Sequence, residues 1–130
     1  MAELADIVFD CHHPASLARF WRAALDGYDI APYDEAELDR LAALGINDPE
    51  DDPTVLLEPS GAGLRIWFQR VPEAKSAKNR VHLDIRAEQL DAEVERLESL
   101  GAARHHDQPG TGLVVMLDPE GNEFCVIPTI

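Results

Sequence analysis

The 130-residue chain has 11 basic and 25 acidic side chains, a formal net charge of −14 at pH 7 and a sequence pI near 4.5. At 45% hydrophobic and 28% charged it has a globular composition, which excludes fibrous and disordered classes, and its length buries about two-thirds of the unfolded surface without staples. The acid excess repels phosphate backbones and anionic bilayers, so nucleic acid and membrane are excluded as partners.

Two cysteines, Cys11 and Cys125, make neither a disulfide framework nor a CxxC zinc motif. No apolar run approaches the roughly 18 residues that span a bilayer. The N-terminus lacks the basic and apolar regions of a signal peptide. The expectation is a reduced, cytoplasmic protein.

In chain order, residues 4–11 carry β-formers in loose alternation and predict a strand. Pro14 opens a helix whose apolar positions are Leu17, Phe20, Trp21, Ala24 and Leu25, and Gly27 stops it. A short strand is expected at 28–32. Asp34 to Leu44 reads as a short acidic helix, and Asn47 to Pro53 as an acidic, turn-rich stretch. The whole of 34–52 reads either as a solvated insertion or as a lid over a site. Val55 to Leu57 and Leu64 to Val71 form a hairpin, and 72–79 is a polar connector. Then come a strand from Arg80 to Arg86, a helix from Glu88 to Leu100 stopped by Gly101, and strands at 102–106 and Leu113 to Leu117. The turn Asp118-Pro119-Glu120-Gly121-Asn122 leads into a last strand from Glu123 to Ile127.

This is one pattern, strand-helix-strand-strand-strand, occurring twice. It divides the chain into module one at 1–71 with the insertion 34–52, the connector 72–79 and module two at 80–130, together a single α+β domain. Aligning first strands pairs Asp6 with His82, and aligning last strands pairs Gln69 with Cys125.

Side chains alternate across a strand, so parity separates two faces. Ile7, Phe9, Cys11, Leu64, Ile66, Phe68, Val81, Leu83, Ile85, Phe124 and Val126 make the core face. The opposite parity carries Asp6, Val8, Asp10, Arg65, Trp67, Gln69, His82, Asp84, Arg86, Glu123, Cys125 and Ile127. Mixed charges beside an aromatic fit a polar-aromatic cup for a small organic molecule. They also fit a sheet of interlocking charge pairs, such as Asp84 with Arg65 or Arg86. The candidate ligand-binding residues are Asp6, Arg65, Trp67, Gln69, His82, Asp84 and Cys125. His82 reads as a structural histidine or a general base, and Cys125 as an inert thiol or a nucleophile. His12 and His13 read as capping or surface residues, and His105 and His106 as solvent-facing. Lys75, Lys78 and Arg80 either offset the acidic surface or steer an anionic ligand.

The doubled pattern and the turn Asp118 to Asn122 before the last strand resemble the vicinal oxygen chelate superfamily. The stretches Asp10-Cys11-His12-His13-Pro14, Ala18-Arg19-Phe20-Trp21, Phe68 to Glu73 and Lys78-Asn79-Arg80 with His82-Leu83-Asp84 are similar to the glyoxalase-like domain proteins common in actinobacteria. The resemblance implies two βαβββ modules in a curved mixed sheet or open barrel, the glyoxalase/bleomycin resistance/dihydroxybiphenyl dioxygenase fold, usually as a homodimer. It also implies a divalent metal (Zn, Ni, Fe or Mn) held by the first and last strand of each module, at Asp6, Gln69, His82 and Cys125. His82 and Gln69 are the metal-ligand candidates. Catalytic members usually carry His and Glu at these positions, whereas cysteine stands at the last one here. The set therefore departs from the catalytic pattern, and a small-molecule binder without a complete metal site is the expected function. The competing readings are a metal-dependent lyase, isomerase or dioxygenase acting on vicinal oxygens, and a purely structural or partner-binding module.

Overall fold

The computed structural model describes residues 1–107 and 112–129, and the chain divides into two compact units, Met1–Ala74 and Lys75–Ile130. The described residues form two four-stranded mixed sheets and three α-helices.

In the first unit, β1 (Asp6–Cys11) leads into α1 (Pro14–Ala24). His13 is the N-cap of α1, its Nδ1 accepting from the Ser16 amide at 3.3 Å, and Pro14 occupies the first turn, where the missing N–H is harmless. Leu17, Ala18, Phe20, Trp21 and Ala24 of this helix are buried, the spacing expected of one face at 3.6 residues per turn. The helix ends at Ala24, and Gly27 with φ +73° lies in the turn beyond. The unit continues with β2 (Tyr28–Ile30), α2 (Glu35–Ala43), a 3₁₀ turn (Pro49–Asp51), β3 (Thr54–Pro59) and β4 (Arg65–Arg70). The sheet order is β1-β4-β3-β2, with β1 parallel to β4 and the other pairs antiparallel.

Register fixes which side chains share a face, because directly opposed residues point the same way. Ile7–Ile66–Leu57 and Phe9–Phe68–Val55 form two rows against α1, and Ile66, Phe68, Leu57 and Val55 are buried. Phe9 meets Trp21 edge-on at 5.7 Å and Phe68 at 5.3 Å. Parity had placed Ile7, Phe9, Ile66 and Phe68 on the core face.

Most residues of the stretch 34–52 are exposed, but it is fastened at a few points. Leu41 of α2 is 1% exposed. The Asp52 carboxylate, also 1% exposed, accepts from the Tyr33 hydroxyl at 2.7 Å, the Thr54 amide at 2.9 Å and Arg40 at 3.2 Å. Glu50 accepts both arms of Arg19 on α1 at 2.6 and 2.8 Å. A buried charge persists only when hydrogen-bonded and paired, and Asp52 meets both conditions.

The second unit repeats the pattern with β5 (Leu83–Ala87), α3 (Leu90–Leu100), β6 (Ala103–Asp107), β7 (Val114–Leu117) and β8 (Glu123–Pro128). Its order is β5-β8-β7-β6, with β5 parallel to β8. Val94 and Leu97 of α3 are fully buried, as are Met116 and Val126, and Phe124 is nearly so. Gly101 closes α3 in the left-handed conformation at φ +117°, which costs a glycine no Cβ clash. The expected strand from Arg80 begins only at Leu83. Val81, assigned by parity to the core, is 78% exposed because it precedes the ladder.

The turn before β8 is built around Asp118. One carboxylate oxygen accepts from the Glu120 and Asn122 amides at 2.9 and 3.0 Å, and the Asn122 side chain binds both oxygens. The following residue, Glu123, ties the connector to β8. It accepts from the Asn79 amide at 2.9 Å and from Lys75 at 3.1 Å, while Asn79 Nδ2 donates to Asn122 Oδ1 at 3.2 Å. Lys75 is therefore an ion-pair partner of Glu123.

Candidate functional site

The open face of the first sheet follows from the same register. Asp6 lies opposite Arg65, Val8 opposite Trp67 and Asp10 opposite Gln69, while Trp67 also faces Leu56 and Gln69 faces Thr54. The middle row is thus Val8–Trp67–Leu56, an apolar stripe across three strands. Asp6 and Arg65 flank it on one side, and Asp10, Gln69 and Thr54 on the other. Val8 is 51% exposed, and Trp67 and Leu56 are half-buried.

Asp6 is fully engaged. Arg65 donates Nε to one oxygen at 2.8 Å and a terminal nitrogen to the other at 3.1 Å. The Trp67 indole also donates to this carboxylate, and the guanidinium carbon lies 5.9 Å from the Trp67 ring centroid. The Arg65 hydrogen bond, with its charge, holds the Asp6 carboxyl below the usual carboxylate range against the opposing effect of desolvation. Of the charge pairs foreseen for this face, Arg65 takes Asp6 rather than Asp84.

The implied ligand pair of the first module is not brought together. Gln69 is opposite Asp10, four residues along the ladder from Asp6, a backbone stagger of about 13 Å. An aspartate and a glutamine side chain cannot converge on one ion across that gap within this unit. In the second unit Asp84 is opposite Cys125, so His82 and Cys125 are staggered by only two residues. Asp6/Gln69 and His82/Cys125 are therefore not equivalent pairs. If Asp6 corresponds to His82, the counterpart of Cys125 is Trp67.

In the second unit, His82 Nε2 lies 3.2 Å from Asp84 Oδ1. The potential donor atoms of His82, Asp84 and Cys125 all lie within 4.8 Å of one another. Among the described residues this is the one cluster of three or more His, Cys, Asp or Glu side chains so arranged. Cys125 is 7% exposed, and His82 and Asp84 are about half exposed. Burial, then the charge and acceptor oxygen of Asp84, push the Cys125 thiol up, and Lys78 acts in the opposite direction. Cys125 thus carries its proton at neutral pH, which argues against a resting thiolate nucleophile.

The remaining histidines take ordinary roles. His13 caps α1 and its Nδ1 lies 2.8 Å from Ser16 Oγ, while His12 Nε2 lies 3.1 Å from the Glu73 carbonyl. His105 and His106 are exposed on β6, where the register shifts between Arg104, opposite Met116, and His106, opposite Val115. Sequence reasoning missed Asp52 and Glu123, the two carboxylates that hold their surroundings together. The Asp52-Pro53-Thr54 turn and the position of Glu123 directly after the Asp118 to Asn122 turn were the available signals.

The sequence profile of the glyoxalase-like domain family matches residues 6–127. Among solved structures, the chain is similar to a glyoxalase/bleomycin resistance protein/dioxygenase family enzyme from Burkholderia phytofirmans PsJN. The TM-score is 0.68 at 14% identity, covering 99% of this chain and 100% of that one. It is similar also to the fosfomycin resistance protein FosX from Mesorhizobium loti, with a TM-score of 0.66 at 12% identity over 98% of this chain and 91% of the other. A possible glyoxalase from Bacillus cereus matches with a TM-score of 0.66 at 11% identity, over 98% of this chain and 99% of that one. At these identities the likeness is one of fold. A search of curated proteins finds no match.

Proposed function

Because the chain belongs to the glyoxalase-like domain family, we propose that it binds a small organic molecule on the open face of its first sheet, with Trp67 as the platform. The observation that carries this reading is the Val8–Trp67–Leu56 stripe between polar rows. A sheet face meant only for water has no use for three large apolar side chains in line, and apolar surface flanked by a few oriented polar groups is how proteins hold small organic ligands. Asp6 fixes Arg65 and the Trp67 indole, so the platform is rigid before a guest arrives. Gln69 offers an amide at the opposite margin. His82, Asp84 and Cys125 are the polar ligand-binding candidates of the second unit.

A second reading, a metal-dependent lyase, isomerase or dioxygenase, draws support from the His82–Asp84–Cys125 cluster. The four-position set Asp6, Gln69, His82 and Cys125 does not fit it, because the first unit holds its two members apart and commits Asp6 to Arg65. The family alone supports a cytoplasmic homodimer, and sedimentation velocity tests the assembly.

Tryptophan fluorescence tests the platform directly. Trp21 is 1% exposed, so quenching by added small aromatic and vicinal-oxygen compounds reports on Trp67. A compound that quenches wild type should lose affinity at least about tenfold with Trp67→Ala while the far-ultraviolet circular dichroism is unchanged. Equal affinity of the two proteins, measured calorimetrically, removes Trp67 from the site.

A further inference from the structure

We infer that the guest of the Trp67 platform is a cation, a small organic molecule whose apolar body lies along the Val8–Trp67–Leu56 stripe and whose ammonium group is taken by Asp10 and Gln69. The inference rests on the platform proposed above and adds to it the charge of the guest, with Asp10 as the residue that selects that charge.

Uncompensated charge is the first argument. The open face carries Asp6 and Asp10 on β1, Arg65 on β4, and Glu58, which shares the parity of Leu56, on β3. Asp6 takes two nitrogens of Arg65, at 2.8 and 3.1 Å, and Arg65 also senses the charge of Glu58. On β2, Asp29 lies opposite Glu58 but is engaged by Arg22 of α1 at 2.9 Å. Among the described residues, Asp10 and Glu58 form no side-chain hydrogen bond or ion pair. An anionic guest would have to break the Asp6–Arg65 pair to reach a cation on this face, and would then meet these carboxylates as well.

Placement is the second argument. Asp10 lies opposite Gln69, and Gln69 opposite Thr54, so the free carboxylate sits beside an amide oxygen and, one strand further, a hydroxyl. An ammonium has three N–H donors and no acceptor, and this row offers it acceptors together with a negative charge. Trp67 faces Val8, which makes Asp10 its diagonal neighbour. Diagonal β-carbons lie about 7–8 Å apart, so a guest whose charge stands about 5–7 Å from the centre of its apolar body meets both side chains. The Trp67 ring favours a cation at its face, and the Arg65 guanidinium 5.9 Å from its centroid is neutralised by Asp6.

The plainer alternative makes Asp10 and Glu58 ordinary solvated carboxylates of a protein whose net charge is −14. A field of that kind draws cations to the whole surface. Any preference it creates is diffuse and indifferent to the loss of one carboxylate, whereas a preference made by contact is concentrated at Asp10.

Three probes that share one apolar body distinguish the two: phenylpropylammonium, phenylpropanol and phenylbutyrate, titrated into the full chain at neutral pH and followed through the backbone amide signals of β1 and β4. The ammonium should bind about fivefold more tightly than the alcohol, and the carboxylate more weakly than the alcohol. Asp10→Asn, an exposed and nearly isosteric change, should bring the ammonium to within about twofold of the alcohol and leave the alcohol's affinity unchanged. Glu95→Gln, which removes an exposed carboxylate from α3, should leave the ammonium's advantage intact. Trp67→Ala should weaken all three probes. If none binds wild type, or if binding survives Trp67→Ala, the platform fails and this inference fails with it. If all three bind through Trp67 with equal affinity, or the carboxylate binds best, the platform stands and the cationic guest is overturned. An ammonium preference that Asp10→Asn leaves unchanged overturns the assignment of Asp10.

Discussion

Asp52 offers the sharpest test of how the segment 34–52 is held. Its carboxylate is 1% exposed and accepts from Tyr33, Thr54 and Arg40. Asp52→Ala removes the acceptor from all three. Arg40, with its side chain 40% exposed, recovers water and keeps Glu37 at 2.8 Å, so its loss is small. The Tyr33 hydroxyl and the Thr54 amide are part-buried donors left without that partner, at about 1–3 kcal/mol each. Relief of the buried charge offsets part of this, and the expected net destabilisation is about 3 kcal/mol. Asp52→Asn keeps an oxygen for Thr54 but presents the wrong polarity to Arg40, and should cost about 1–2 kcal/mol. Urea denaturation measures both, read as a change in midpoint at constant slope. Hydrogen exchange then locates the loss. If the carboxylate fastens the segment, α2 amides lose protection in Asp52→Ala before the β3 and β4 amides do. A stability within about 0.5 kcal/mol of wild type, the range of an ordinary surface change, would refute the reasoning and return the segment to a solvated insertion.

Two further predictions concern pH. Glu123 is held down to about 2: burial works against ionisation but is outweighed by the Asn79 amide, its own amide and Lys75. A depressed carboxylate stabilises the fold above its ordinary value near 4.5, and that contribution should fade as pH falls from there toward 2. Glu123→Gln should be less stable at neutral pH by about 1–2 kcal/mol and show a flatter acid limb in urea titrations. At the alkaline end, burial and then the Asp52 carboxylate raise the Tyr33 phenol above the ordinary tyrosine range. A group raised on folding stabilises below its unfolded value, about 10, and that contribution is lost as pH rises further. Phenolate absorbance should therefore show Tyr33 ionising late, and Asp52→Asn should bring it earlier; an unchanged titration in that variant would remove Asp52 as a cause.

The sequence exposed the faces of this fold better than its rows. Alternation assigned Ile66, Phe68, Phe124 and Val126 to the core, and all four are buried. It assigned Asp6, Arg65 and Trp67 to one open face, and the Asp6–Arg65 pair and the contact of Arg65 with Trp67 agree. Alternation has a period of two, so a one-residue slip reverses every side chain and is detected at once. A two-residue slip leaves both faces unchanged and is invisible to it. That is the slip in matching Gln69 to Cys125: Trp67 and Gln69 share the open face, but with Asp6 matched to His82 the ladders make Trp67, opposite Val8, the counterpart of Cys125, opposite Asp84. Hydrogen-bond register, a relation between strands distant in sequence, had to be seen before Trp67 could be recognised as the residue level with Val8.

Charge counting fails for a related reason. Among the described residues no buried side-chain nitrogen or oxygen lacks a hydrogen-bond partner, so a buried acid is defined by its partners rather than by its neighbours in sequence. Asp52 ends the run Asp48-Pro49-Glu50-Asp51-Asp52, which composition reads as uniformly wet, yet its partners come from positions 33, 40 and 54. Glu50 in the same run binds Arg19, thirty-one residues earlier. The run is acidic because two of its carboxylates have basic or hydroxyl partners waiting on other elements, and those partners convert an apparent surface loop into the fastening of α2.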